Sequence, residues 1–141
     1  MTVEKRQVKK MITKEYFYGD GKYQISLQVT MTDGNGLCCF LTGGQKPHLG
    51  GTVVSAPREK SSAIEESDRT ADFWVSSVPG HKDVEAAIPI AKYLAVTLNE
   101  PVSVSAGIHI ENAKPDEIRL LCGNCKKAAE IFVEEYKKHS F

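Results

Sequence analysis

The sequence has no excess of charge of either sign, since eighteen basic and eighteen acidic side chains cancel over 141 residues. A nucleic-acid or acidic-membrane partner, which needs a broad positive surface, is therefore not expected. No apolar run approaches the roughly 18 residues of a transmembrane helix, and the opening MTVEKRQVKK lacks the apolar core of a signal peptide. These absences lead us to expect a soluble, cytoplasmic protein. Cysteine is scarce, with four residues, and in the absence of a secretory signal they read as free thiols or metal ligands rather than disulfides. Internal repeats and low-complexity tracts are missing too. A chain of this length is expected to form one domain over residues 1–141, with a core that hides roughly 68 to 70% of the unfolded surface.

What the chain does have is a set of histidines beside glycines. Gly43 to Gly51 reads GGQKPHLGG, with four glycines, one proline and His48 in nine residues. Pro47 fixes its own φ and pushes Lys46 towards an extended conformation, so His48 sits on a stiff loop. SVPGHKD carries His81 and SAGIHIEN carries His109 in similar settings, whereas His139 reads as tail.

Around these loops the pattern is strand-rich. Val8 to Tyr18 and Tyr23 to Met31 form a hairpin, because Tyr23, Ile25, Leu27, Val29 and Met31 alternate with polar residues. Leu37 to Leu41 is apolar on both faces, as a central strand would be. Thr52 to Ala56 is a short strand, and Pro57 to Thr70 is a charged, exposed excursion. Ala71 to Val78 is a strand that runs into Pro79-Gly80-His81. A helix follows with Asp83 as its N-cap, and Pro89 should kink or restart it. Val102 to Ile110 is a strand ending near His109, and Lys114-Pro115 opens a closing amphipathic helix to Lys138. Without regular βαβ alternation, the expected class is α+β, with mostly antiparallel β-sheets and two helices.

Three blocks, GGQKPHLGGTVVSAPR, FWVSSVPGHKDVEAAIPIAKYLA and VSVSAGIHIENAKPDEI, resemble in order the motif blocks of the LpdD-like prenylated-flavin chaperones. That family's fold is similar to the proteasome assembly chaperones. The resemblance spans Gly43 to Ile118, and it implies a homodimeric accessory protein, with no turnover of its own, that binds prenylated FMN and assists UbiD-type (de)carboxylases. Cys38-Cys39 and the Cys122-Gly123-Asn124-Cys125 spacing fall outside the blocks and leave room for a thiol or metal role.

Read without the family, His48, His81 and His109 are candidates for one divalent metal site, provided that their strand ends lie on the same side of a sheet. The bland alternative is that each histidine bonds a nearby carbonyl and stiffens its own loop. Asp83 and Glu111 follow two residues after His81 and His109, as caps, tautomer-fixing partners or further ligands. A phosphate suits the same loops, since glycine turns and a helix start present free N–H groups. The cofactor-binding set is thus Gly43, Gly44, Lys46, His48, Gly50, Gly80, His81, Lys82 and His109, with Arg58 a further cation nearby. Phe73 and Trp74 point to opposite faces and read as core. Cys38 and Cys39 also diverge, which disfavours a four-cysteine zinc site; a site mixing one of them with Cys122 and Cys125 stays open beside the reading of buried thiols. The alternative function is a metal-dependent hydrolase or lyase in which three histidines hold the metal and Asp83 or Glu111 is the base.

Overall fold

The computed structural model describes residues 11–59 and 63–138. The start of the hairpin at residues 8–10 and the His139 tail lie outside the described residues. The elements, in chain order, are strands β1 (Ile12–Tyr18), β2 (Ile25–Met31), β3 (Leu37–Gly44), β4 (Gly51–Pro57) and β5 (Ala71–Ser77), helix α1 (Val84–Leu98), strand β6 (Val102–His109) and helix α2 (Pro115–Lys138). The six strands form one sheet in the order β1-β2-β3-β6-β4-β5. Among the described residues only β3 and β6 pair in parallel; the other pairings are antiparallel. The α+β class with a mostly antiparallel sheet and two helices is what the structure has.

The inserted position of β6 sets the geometry of one end of the sheet. β3 and β6 run together, β4 runs against β6, and β5 runs against β4. The C-terminal ends of β3, β5 and β6 therefore reach the same edge. The loops that carry His48, His81 and His109 start there, so the condition set by the sequence is met.

Both helices pack against one face of the sheet. Ile25, Leu27, Val29 and Met31 are buried on that face as the period of two requires, and they meet Phe132, Leu94 and Ala91 from the helices in a single core cluster. Each fully buried aliphatic or aromatic side chain contributes about 1.5–3 kcal/mol relative to exposure. In β3 the expectation of two covered faces fails, because Leu37, Cys39 and Leu41 are buried but Cys38 and Phe40 are exposed. The strand is central within its sheet, yet among the described residues no layer covers its outer side.

Pro89 does not restart α1, which runs without a break from Val84 to Leu98. The residue lies on the exposed side of the helix, and so does Glu85, whose carbonyl loses the bond that Pro89 cannot donate. Water can satisfy that oxygen. The helix ends where Asn99 adopts the left-handed conformation, φ 56° and ψ 43°, and donates its N–H to the Ala95 carbonyl.

α2 starts with Pro115 in its first turn, where a missing N–H is harmless. Glu117 reaches back so that Oε1 accepts the Lys114 N–H at 3.0 Å, while Oε2 accepts the Tyr23 hydroxyl at 2.7 Å. Those two bonds, with Lys22 nearby, lower the Glu117 carboxyl to about 2. A carboxyl lowered on folding supports the fold above its unfolded value of about 4.3 and loses that support as pH falls towards the folded value. We expect a carboxyl NMR titration to place Glu117 near pH 2 and Glu117→Gln to flatten this part of the acid dependence. A midpoint in the ordinary carboxylate range would contradict the capping geometry.

Candidate functional site

His48 approaches the sheet edge across Gly107 of β6. A Cβ built on Gly107 would lie 1.4 Å from the His48 carbonyl oxygen, so only glycine leaves room for this crossing. The Gly50 N–H then donates to the Ala106 carbonyl at 2.8 Å as the chain enters β4. On the other side, Val78 donates to the Gly50 carbonyl at 2.9 Å, and the turn at Gly80, φ +81°, brings His81 back towards His48. The two imidazole rings stand 5.1 Å apart.

Asp83 is the hub between them. It occupies the N-cap position of α1 as expected, but its side chain makes no capping bond. Its Oδ1 accepts the Ile108 N–H at 2.8 Å, just beyond the point where β4 stops pairing with β6 at Gly51 opposite Ala106. Its Oδ2 faces His48 Nε2 at 3.2 Å and His81 Nδ1 at 3.3 Å. The side chain is only 8% exposed. Burial pushes its carboxyl up, but the Ile108 N–H and the two histidines outweigh burial and hold it below the usual value.

The tautomer of His48 follows from its other nitrogen. Nδ1 lies 2.9 Å from the Lys46 carbonyl, which can only accept, so Nδ1 carries the proton. In a neutral ring Nε2 then turns a lone pair towards a carboxylate oxygen that offers only lone pairs. A cation relieves that opposition, whether a second proton on the ring or a metal ion. Among the described residues, His48, His81 and Asp83 have ligand atoms that all lie within 4.8 Å of one another. Two imidazoles and one carboxylate with an open side suit zinc, manganese or a similar divalent ion.

His109 stands beside this group rather than in it. Its ring is 6.5 Å from that of His48, and its Nε2 faces Glu111 Oε2 at 3.2 Å. Gln45, which the sequence reading passed over, ties this segment down: its N–H donates to the His109 carbonyl at 2.7 Å and its Oε1 accepts the Glu111 N–H at 2.8 Å. Of the trio expected from sequence, His48 and His81 share the compact group with Asp83, and His109 is a neighbour of His48.

The group opens onto a cavity of about 940 Å³. Lys46, His48, Gly80, His81, Lys82 and His109 line it, whereas Gly43, Gly44 and Gly50 do not. Those three glycines permit close packing instead: a Cβ on Gly43 would meet the Gln24 carbonyl at 2.5 Å, one on Gly44 the His109 carbonyl at 2.2 Å, and one on Gly50 the Asp83 carboxylate at 1.9 Å. Arg58 pairs with Asp72 at 2.6 Å and takes no part in the cavity. Phe73 and Trp74 are both exposed on edge strand β5 rather than in the core, and neither lines the cavity.

No cysteine joins the compact ligand group. Burial raises the Cys39 and Cys125 thiols to about 12, each with a further push from its neighbouring cysteine, and raises Cys122 as well. Without a metal they are neutral thiols at pH 7, which is not the low-pKa thiolate of a redox cysteine.

Residues 19–137 match the model of the prenylated flavin chaperone LpdD-like domain. The chain belongs to that family. None of the curated proteins compared with it matches significantly. Among solved structures, that of a chaperone complex for yeast 20S proteasome assembly is similar, with a TM-score of 0.58 at 12% identity over 91% of this chain and 96% of that one. At such identity the likeness is one of fold. The family match covers all three histidine loops, the Asp83 hub and most of α2, and it supports a chaperone role.

Proposed function

We propose that the cavity holds prenylated FMN and that the protein delivers this cofactor to a UbiD-type decarboxylase. The observation that carries the proposal is the match to a prenylated-flavin chaperone family over residues that include every wall of the cavity. A volume of about 940 Å³ is in the upper range for organic ligands. The flavin phosphate sits at the end where Lys46, Lys82 and the first turn of α1 supply positive potential. His48, His81 and Asp83 hold a divalent ion there, and His109 completes the polar rim. Such an ion supplies charge for phosphate binding.

The hydrolase or lyase alternative loses its base. The Asp83 carboxylate is committed to the Ile108 N–H and two histidines and is held below the usual value, the reverse of what a general base at neutral pH needs. Glu111 is paired to His109 and exposed.

The test is an anaerobic titration of reduced prenylated FMN, with Mn²⁺ present, into wild type and His48→Ala. Wild type should bind, and the variant should lose about 10- to 100-fold in affinity while circular dichroism stays native. Unchanged affinity in a folded His48→Ala would defeat this assignment of the site. Transfer is read by adding the loaded protein to a cofactor-free UbiD-type decarboxylase and following decarboxylation.

The proposal includes a homodimer. The outer face of the sheet carries Phe17, Phe40, Val54 and Trp74 in exposed positions, and register aligns Cys38, Ser103, Val54 and Trp74 in one row across four strands. The acidic residues of this face, Glu15 and Asp72, lie on the edge strands β1 and β5. A two-fold copy presents the same uncharged centre and can cover it. Light scattering at micromolar concentrations should give twice the 15.5 kDa chain mass. The mass of one chain alone would remove the dimer.

A further inference from the structure

The cavity has a second, chemically different end. Ile118, Leu121, Cys122 and Cys125 of α2 all line it, and their spacing of i, i+3, i+4 and i+7 makes one stripe of the helix. On most amphipathic helices such a stripe is spent entirely on the core. Here Leu121 and Cys125 are buried, but Ile118 remains 50% exposed and Cys122 is exposed as well, so the stripe runs from the core out into the cavity. Ile110 and Ala113, which follow β6, extend the same apolar wall. The charged lining residues Lys46, Lys82, Asp83 and Glu85 belong to the loops and to α1, not to this wall.

A phosphate needs only the histidine end, and the pyrimidine edge of the flavin asks for hydrogen bonds; its dimethylbenzene edge is apolar but is common to FMN and prenylated FMN. The five-carbon prenyl unit needs an aliphatic wall, because it adds saturated carbon that water solvates poorly. We infer that the α2 stripe is the prenyl subsite and that Ile118 and Cys122 make the site select prenylated FMN over plain FMN. This inference rests on the flavin-carrier reading given above. Each buried methylene changes an equilibrium by roughly fourfold, so partial burial of five carbons gives a preference of roughly a hundredfold. Neutral thiols suit the role, as they pack like small apolar groups.

The experiment compares FMN and reduced prenylated FMN, titrated anaerobically with Mn²⁺ into wild type, Ile118→Ser and Cys122→Asp. Both positions are exposed, so each variant should fold, and circular dichroism checks that they do. Wild type should prefer prenylated FMN by roughly a hundredfold, and each variant should lose roughly tenfold or more for prenylated FMN with little change for FMN. Equal affinity of wild type for the two flavins, or an equal loss for both in the variants, would overturn the subsite and leave the carrier reading standing. Failure of wild type to bind either flavin would overturn both.

Discussion

Gly107→Ala should lower the melting temperature by about 10 °C or more, although it adds a single methyl group to a strand. The new Cβ would stand 1.4 Å from the His48 carbonyl oxygen, 2.2 Å from its carbonyl carbon and 3.0 Å from its Cα. All three are backbone atoms, so no rotamer change can make room. Either β6 leaves its register with β3, Thr42 opposite Gly107, or the His48 loop lifts off the sheet. Overpacking of this kind costs about 3 kcal/mol or more, and one kcal/mol shifts the midpoint by about 3–4 °C at this chain length. His48 would leave Asp83 in the process, so metal and flavin binding should fall together with stability. Gly80→Ala is the control. Its Cβ would meet open space, and only the strain at φ +81° acts, which costs about 1 kcal/mol. Thermal unfolding followed by circular dichroism separates the two, and an unchanged midpoint for Gly107→Ala would refute the close crossing.

Gly107 also shows where the sequence could have been read further. A glycine inside the β-branched run Val102 to Ile110 marks a close backbone approach or a bulge, a weaker signal than the four glycines clustered around His48. Strand existence was legible because β2 alternates without a break and the helices carry regular stripes. Strand direction was not. The histidine loops gather only because β6 inserts between β3 and β4 parallel to β3, a long-range choice that no local pattern records. The outer side of β3 misled for a related reason: Leu37 to Leu41 is apolar on both faces, and that local pattern does not record that the helices take only the face of Leu37, Cys39 and Leu41.

Asp83 was legible as a helix start and as a partner or ligand beside His81, but not as a hub that joins three segments, since an aspartate before a helix ordinarily bonds the first N–H groups. Its competing partners come from three separate segments, at His48, His81 and Ile108. Nothing in the spacing of the chain brings those together in advance. The same holds for the cavity wall, where the stripe Ile118, Leu121, Cys122 and Cys125 reads as core until the position of α2 relative to β6 is known.

Two substitutions at Asp83 should separate ligation from architecture. Asp83→Asn keeps an oxygen for the Ile108 N–H, now 2.8 Å from Oδ1, and puts an NH₂ where Oδ2 faces His48 Nε2 at 3.2 Å. That amide donates to the lone pair of His48, so the opposition between two acceptors disappears without any cation. The variant should therefore fold as well as wild type in the absence of metal, and it should bind Mn²⁺ or Zn²⁺ at least a hundredfold more weakly, because a neutral amide is a poor ligand and its NH₂ occupies the coordination side. Asp83→Ala loses the ligand equally, but it also strands the Ile108 N–H beyond the end of β4, at a cost of about 1–3 kcal/mol. The pair is read by metal titration calorimetry and by chemical unfolding in chelator. If Asp83→Asn keeps wild-type metal affinity, the ion is not held by this carboxylate, and His48 with His81 alone would have to account for it. If Asp83→Ala is as stable as Asp83→Asn, the Ile108 bond carries no weight, and the hub is needed only for the ion.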